Sequence, residues 1–181
     1  MTQKQVYSTV FKLVLGDITK ATAVEAIIND ASPDLKPHRG PCKAIHEAAG
    51  SFFAGECQRV IDHQGVLEPG QACVTDGGLL RAKYVIHAVG PKWYGGNSDE
   101  EQVLVHTYQN CLKVAADYGI TSVAITPLAI GDQSRYPVEK SALVAIAAIE
   151  EFCRVDERLK EIQLIIADSF IYSVFKKAMA Y

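Results

Sequence analysis

The chain has 181 residues and a formal charge of −3, with 49% hydrophobic and 22% charged residues. These proportions exclude a disordered tail, a collagen-like chain and a coiled coil, and predict one globular domain over residues 1–181. The slight acidity argues against wrapping nucleic acid, and no apolar run approaches the ~20 residues that a transmembrane helix needs.

The first five residues, Met-Thr-Gln-Lys-Gln, are polar and lack a signal-peptide core. Val10 to Leu15 is a β-branched apolar run ending at Gly16-Asp17, and reads as a strand. Val24 to Asn29 is a second strand candidate. Cys42 to Ile61 has helical spacing, with Ile45, Ala49, Phe52, Phe53 and Cys57 on the apolar side. Ala72 to Thr75 and Tyr84 to Val89 read as strands, the second stopped by Gly90-Pro91. Glu101 to Tyr118 is helical and capped by Gly119. Thr121 to Leu128 reads as a buried strand, and Val138 to Cys153 as a helix entered through Pro137. Ile162 to Ala167 is another buried strand, and Ser169 is the expected N-cap of a last helix ending at Met179.

Several strands are continuous apolar runs without alternation, so both faces must be covered. This predicts an α/β protein, a three-layer α/β/α sandwich around a mixed, mostly parallel sheet. Ligands of such sheets sit beyond the carboxyl ends of the strands. The five cysteines, Cys42, Cys57, Cys73, Cys111 and Cys153, are scattered and form no Cys-x-x-Cys pair. They read as reduced thiols of an intracellular protein.

The loops carry a recognisable order: Leu15-Gly16-Asp17-Ile18-Thr19, then Ala26-Ile27-Ile28-Asn29, then Ala44-Ile45-His46-Glu47-Ala48-Ala49-Gly50. Pro69-Gly70-Gln71-Ala72-Cys73-Val74-Thr75 and Ala82-Lys83-Tyr84-Val85-Ile86-His87-Ala88-Val89-Gly90-Pro91 follow. This series resembles the macrodomain family, whose α/β/α modules bind ADP-ribose, from about Phe11 to the C-terminus. The resemblance implies that Asp17 accepts a hydrogen bond from the adenine amino group, with the Ile18 backbone beside it; an ionised carboxylate is acceptor-only. The other reading of Asp17 is a turn cap.

The next segment departs from the family pattern. Asn29 matches the first residue of Asn-Ala-Ala-Asn, but the second Asn falls on Ser32. The glycine run keeps only Gly40, and the acid that some hydrolytic members use falls on Cys42. Pro37 and Pro41 each remove an N–H that a phosphate would accept. Arg39 is present instead and can clamp a phosphate with two donors. In the second phosphate loop the family's Ser-Thr-Gly is absent. Ala129, Ile130, Gly131, Asp132 and Gln133 are the candidate contacts, with two alignments open, and Asp132 brings negative charge. After the last strand the family's aromatic residue is replaced by Ala167. Phe170 is near enough to substitute, or packs at the helix start.

For catalysis, Ser32 is a weak base and Cys42 is an ordinary thiol unless a helix start lowers its pKa. Asp30 and Asp34 are carboxylates that would act from shifted positions. His38, Cys42 and His46 stand four residues apart, yet Pro41 interrupts the helix they would share, so no metal and no cofactor is expected. Trp93 to Gly96 reads as a mobile loop that shields a ligand or lies on plain surface. The leading expectation is recognition of ADP-ribose or a related nucleotide, free or protein-linked, without efficient hydrolysis. The alternatives are an ADP-ribosyl hydrolase or O-acetyl-ADP-ribose deacetylase with relocated residues, and a scaffold that binds protein or RNA instead. The expected partner is ADP-ribose or an ADP-ribosylated protein. Neither membrane nor nucleic acid is expected, and the chain is a monomer or one unit of a larger protein.

Overall fold

The computed structural model describes residues 2–132 and 134–180. Gln133, one of the expected ligand contacts, lies outside the described residues. The strands are β1 Thr2–Val6, β2 Thr9–Leu15, β3 Ala26–Asp30, β4 Ala72–Asp76, β5 Tyr84–Ala88, β6 Ser122–Ile125 and β7 Glu161–Ile166. The helices are α1 Gly40–Ala49, α2 Phe53–Gln64, α3 Glu100–Asp117, α4 Val138–Val155 and α5 Ser169–Met179, with a short 3-10 turn at Ile18–Lys20.

The strands form one sheet in the order β1-β2-β7-β6-β3-β5-β4. The inner strands β2, β7, β6, β3 and β5 run parallel, and β1 and β4 are antiparallel at the edges. Adjacent residues of a strand face opposite sides. Ile28, Ile86 and Ile125 therefore join Tyr108 of α3, Ile149 of α4 and Phe175 of α5 in one core. Their neighbours Ile27, Val85 and Ala124 join Ile45 of α1 and Phe53 of α2 in a second core on the other face. Both cores draw on the same apolar runs, which is why those runs do not alternate. The three-layer expectation holds.

Several local expectations change. β1 has no apolar signature, because residues 2–5 alternate between partly buried and exposed along an edge and only Val6 is buried. The helix expected over 42–61 is two helices, broken at Gly50, whose φ of +91° suits glycine. Phe52 consequently points outward, 89% exposed, instead of joining the core. Asp168, not Ser169, caps α5, accepting from Ile171 N at 2.9 Å. β6 ends at Ile125, and residues 126–128 leave the sheet to start a loop. Among the described residues, no helix is long and apolar enough to cross a membrane.

Candidate functional site

At the carboxyl ends of β3, β6 and β7 the sheet opens into a cleft of about 1000 Å³. The first loop, residues 31–39, contributes Ser32 and Arg39, and α1 contributes Gly40 and Cys42. The second loop contributes Ile130, Gly131 and Asp132. Asp30 lies at the end of β3, and Ala167 beyond β7. Of the residues expected from sequence, these line the cleft together. Asp17, Ile18, Asn29, Asp34, Ala129 and Phe170 do not lie on its wall.

The reasons are local. Asp17 is exposed, and its Oδ1 accepts from Thr19 N and Oγ1 at 2.9 and 2.8 Å, capping the 3-10 turn. It follows Gly16, whose N–H bonds Ile166 O, so it stands beside the end of β7. Ile18 is buried against the α1–α2 face. Asn29 points to that same face, beneath the first loop, with Nδ2 3.3 Å from His87 Nδ1 and 3.6 Å from Cys42 Sγ. Phe170 is 65% exposed and stands off the cleft wall and outside the core. The wall near Ala167 is aliphatic instead, built by Ile165, Ile166 and Ile171.

The first loop is held by its own side chains. Ser32 Oγ lies 2.8 Å from Asp34 Oδ1 and 3.1 Å from Lys36 O, so its single proton is committed inside the loop. Burial opposes ionisation of Asp34, but hydrogen bonds from Ser32 and Lys36 N win and hold its carboxyl below the ordinary range. Cys42 is 4% exposed, and burial pushes its thiol up. A raised thiol pKa opposes the thiolate that a helix-start nucleophile would need. Gly40 opens α1 with φ +61°, a conformation that a side chain would strain. Arg39 Nη1 reaches Asp132 Oδ2 at 3.3 Å, joining the first and second loops by an exposed ion pair.

Asp30 is different in kind. Its Oδ1 accepts from Ala129 N at 3.1 Å, and burial pushes its carboxyl up to about 7 against that single bond. His87 is fully buried, and burial pulls its imidazole down to about 3. Thr75 Oγ1 and Asn29 Nδ2 satisfy its two ring nitrogens. His46 packs edge-on to the Phe53 ring at 4.9 Å, and burial pulls it down too. His38 precedes α1 and is not on the helix with Cys42 and His46. Among the described residues, no three His, Cys, Asp or Glu side chains are grouped to hold a metal.

The residues that sequence reasoning left undecided are those of the loop after β5. Lys92 and Tyr94 line the cleft. The loop is braced: Glu100, only 2% exposed, accepts from Tyr94 N, Gly96 N and Ser98 N. Burial opposes the charge, yet these bonds hold its carboxyl down to about 2. Trp93 N donates to Ser134 O at 2.7 Å, tying this loop to the second loop. A signal was present in the acid that starts α3, since carboxylates at helix starts commonly gather loop N–H groups.

The family model described as Macro domain matches residues 28–145. O-acetyl-ADP-ribose deacetylase 1 of Pantoea vagans is 35% identical over 167 residues, covering 92% of this chain and 96% of the relative. An O-acetyl-ADP-ribose deacetylase of Klebsiella pneumoniae is 34% identical over 169 residues, covering 93% and 95%. Among solved structures, a variant macrodomain of Oceanobacillus iheyensis with ADPR superposes with a TM-score of 0.94. It is 25% identical, and the match covers 99% of this chain and 97% of that one.

Proposed function

The chain belongs to the macrodomain family, and from that premise we propose that its cleft recognises ADP-ribose or a related nucleotide, free or protein-linked, without efficient hydrolysis. The observation that carries this reading is the cleft itself. It is a volume of about 1000 Å³ at the strand ends, flanked by the two loops that correspond to the family's phosphate loops. That volume is at the upper end of the range for small-molecule sites and suits a ligand of nucleotide-sugar size. Arg39 and the start of α1 supply positive charge for a diphosphate, in place of the lost glycine run. Asp17 and Ile18, beside the end of β7, are proposed for the adenine, with the aliphatic wall near Ala167 under the ring. Ala129, Ile130, Gly131, Asp132 and Gln133 are proposed to embrace the phosphates from the other side.

Slow hydrolysis follows from the groups at the family's catalytic places. Ser32 has its proton committed to the loop, and the Cys42 thiol is buried and protonated. We further propose an intracellular protein that acts as a monomer or as one unit of a larger chain. Calorimetric titration with ADP-ribose tests the reading: saturable binding is expected, and no heat at millimolar ligand would overturn it in favour of the ligand-less scaffold.

One observation favours a second reading, ester hydrolysis of an acylated ADP-ribose. Asp30 is a cleft carboxyl whose proton is exchangeable near neutral pH, and a base of that strength suits water activation. The relatives' names point to the same class of reaction. Turnover of O-acetyl-ADP-ribose that disappears in Asp30→Ala would establish it, and absence of turnover in the parent chain would dismiss it.

A further inference from the structure

Asp30 is the last residue of β3, so the strand's alternation turns it away from Asn29 and towards the α3 side. There its carboxyl sits between the two loops. Oδ1 is held by Ala129 N in the second loop, while Ser32 and Arg39 of the first loop and Gly40 of α1 line the same cleft. None of the surrounding titratable groups pairs with it as a cation. From α3, the Tyr108 hydroxyl is fully buried, accepts from Leu128 N and stays neutral, its phenol pushed up by burial. From α1, the Cys42 thiol is pushed up and neutral. From β5, His87 is buried and neutral. Among the loops, Arg39 pairs with Asp132, Asp168 caps α5, and His38 and Lys92 line the cleft. Among the described residues no ion pair forms on Asp30.

A diphosphate between these loops carries like charge into a partly desolvated space beside the carboxyl. Like charges there oppose each other strongly. A protonated carboxyl has no charge and becomes a hydrogen-bond donor to a phosphate or hydroxyl oxygen. We propose that Asp30 is a specificity-determining residue of the cleft, which takes up a nucleotide diphosphate together with one proton held on the Asp30 carboxyl. The proton comes from solvent and returns there on release. This inference rests on the reading that a nucleotide diphosphate occupies the cleft.

The test is calorimetric titration of ADP-ribose at about pH 6 and about pH 8, repeated in two buffers of different ionisation enthalpy. The ligand's diphosphate is fully ionised across that range, so only the protein titrates. Binding about tenfold weaker at the higher pH is expected, with net proton uptake near pH 7. Asp30→Asn, which keeps an acceptor for Ala129 N, is expected to bind with little pH dependence and about tenfold tighter than the parent at the higher pH. His38→Gln is expected to retain the parent's pH dependence, which separates Asp30 from the neighbouring imidazole. Asp30→Ala serves in place of the Asn variant if thermal unfolding shows that variant to be misfolded. A parent affinity that does not change with pH, or a pH dependence that survives in both Asp30 variants, overturns the proposal and leaves nucleotide recognition standing. If neither parent nor variants bind at any pH, the nucleotide reading itself fails, and this proposal with it.

Discussion

At the scale of single residues, desolvation of the Asp30 carboxyl and of the His87 ring has opposite consequences. An Asp raised from 3.8 to about 7 keeps its proton in the folded state over a range where the unfolded chain has lost it. Its contribution to stability therefore falls as pH rises through that range. A His lowered from 6.5 to about 3 does the reverse, because the unfolded chain binds the proton that the folded state refuses. Each slope is about 1.4 kcal/mol per pH unit. Between roughly pH 4 and 6.5 the two offset each other. Urea midpoints of Asp30→Asn are therefore expected to climb more steeply with pH over that interval than those of the parent chain. Parallel curves for the two proteins would show that the Asp30 carboxyl is not desolvated in this way.

At the scale of elements, the cleft is made by loops that brace one another. The exposed Arg39–Asp132 pair contributes at most about 1 kcal/mol to stability. Arg39→Ala is thus expected to leave the thermal midpoint almost unchanged, while weakening ADP-ribose binding about tenfold and reducing its salt dependence. The Glu100 brace is the opposite case, because its carboxylate is buried and bonded to three N–H groups of one loop. Glu100→Ala leaves those donors unpaired and is expected to lower the thermal midpoint. It should also release the Tyr94 segment, which faster amide exchange at residues 94–98 would report. Helix boundaries taught the same lesson. A run of apolar residues from 42 to 61 reads as one helix until Gly50 reverses the chain, and the exposure of Phe52 is the consequence.

At the scale of the whole molecule, stability rests on two cores that share one sheet. Ile86 is fully buried in the α3–α5 core, and Ile86→Ala is expected to destabilise by about 2–5 kcal/mol, measured by chemical denaturation. ADP-ribose at a hundred times its Kd should add about 2.7 kcal/mol by mass action, visible as a rise in the thermal midpoint. The layered fold was legible in the sequence because its signal is repeated: each buried strand is an apolar run, and each crossover is a periodic helix. The edge strand β1 was not, since an edge needs no apolar face. Ser32, Arg39, Gly40, Cys42 and Asp132 line the cleft because the segments that carry them border it. Asn29 and Phe170 do not lie on its wall, because which way a side chain points depends on what covers it.

By itself, the sequence determined the order of layers, the family and the two loops around the cleft, because these follow from local periodicity and from motifs read in line. Only the tertiary structure decided that Asn29 turns beneath the first loop while Asp30 faces the cleft. Alternation along β3 separates the two residues. Which side is open, however, is settled by partners distant in the chain, Ala129 for one and His87 for the other.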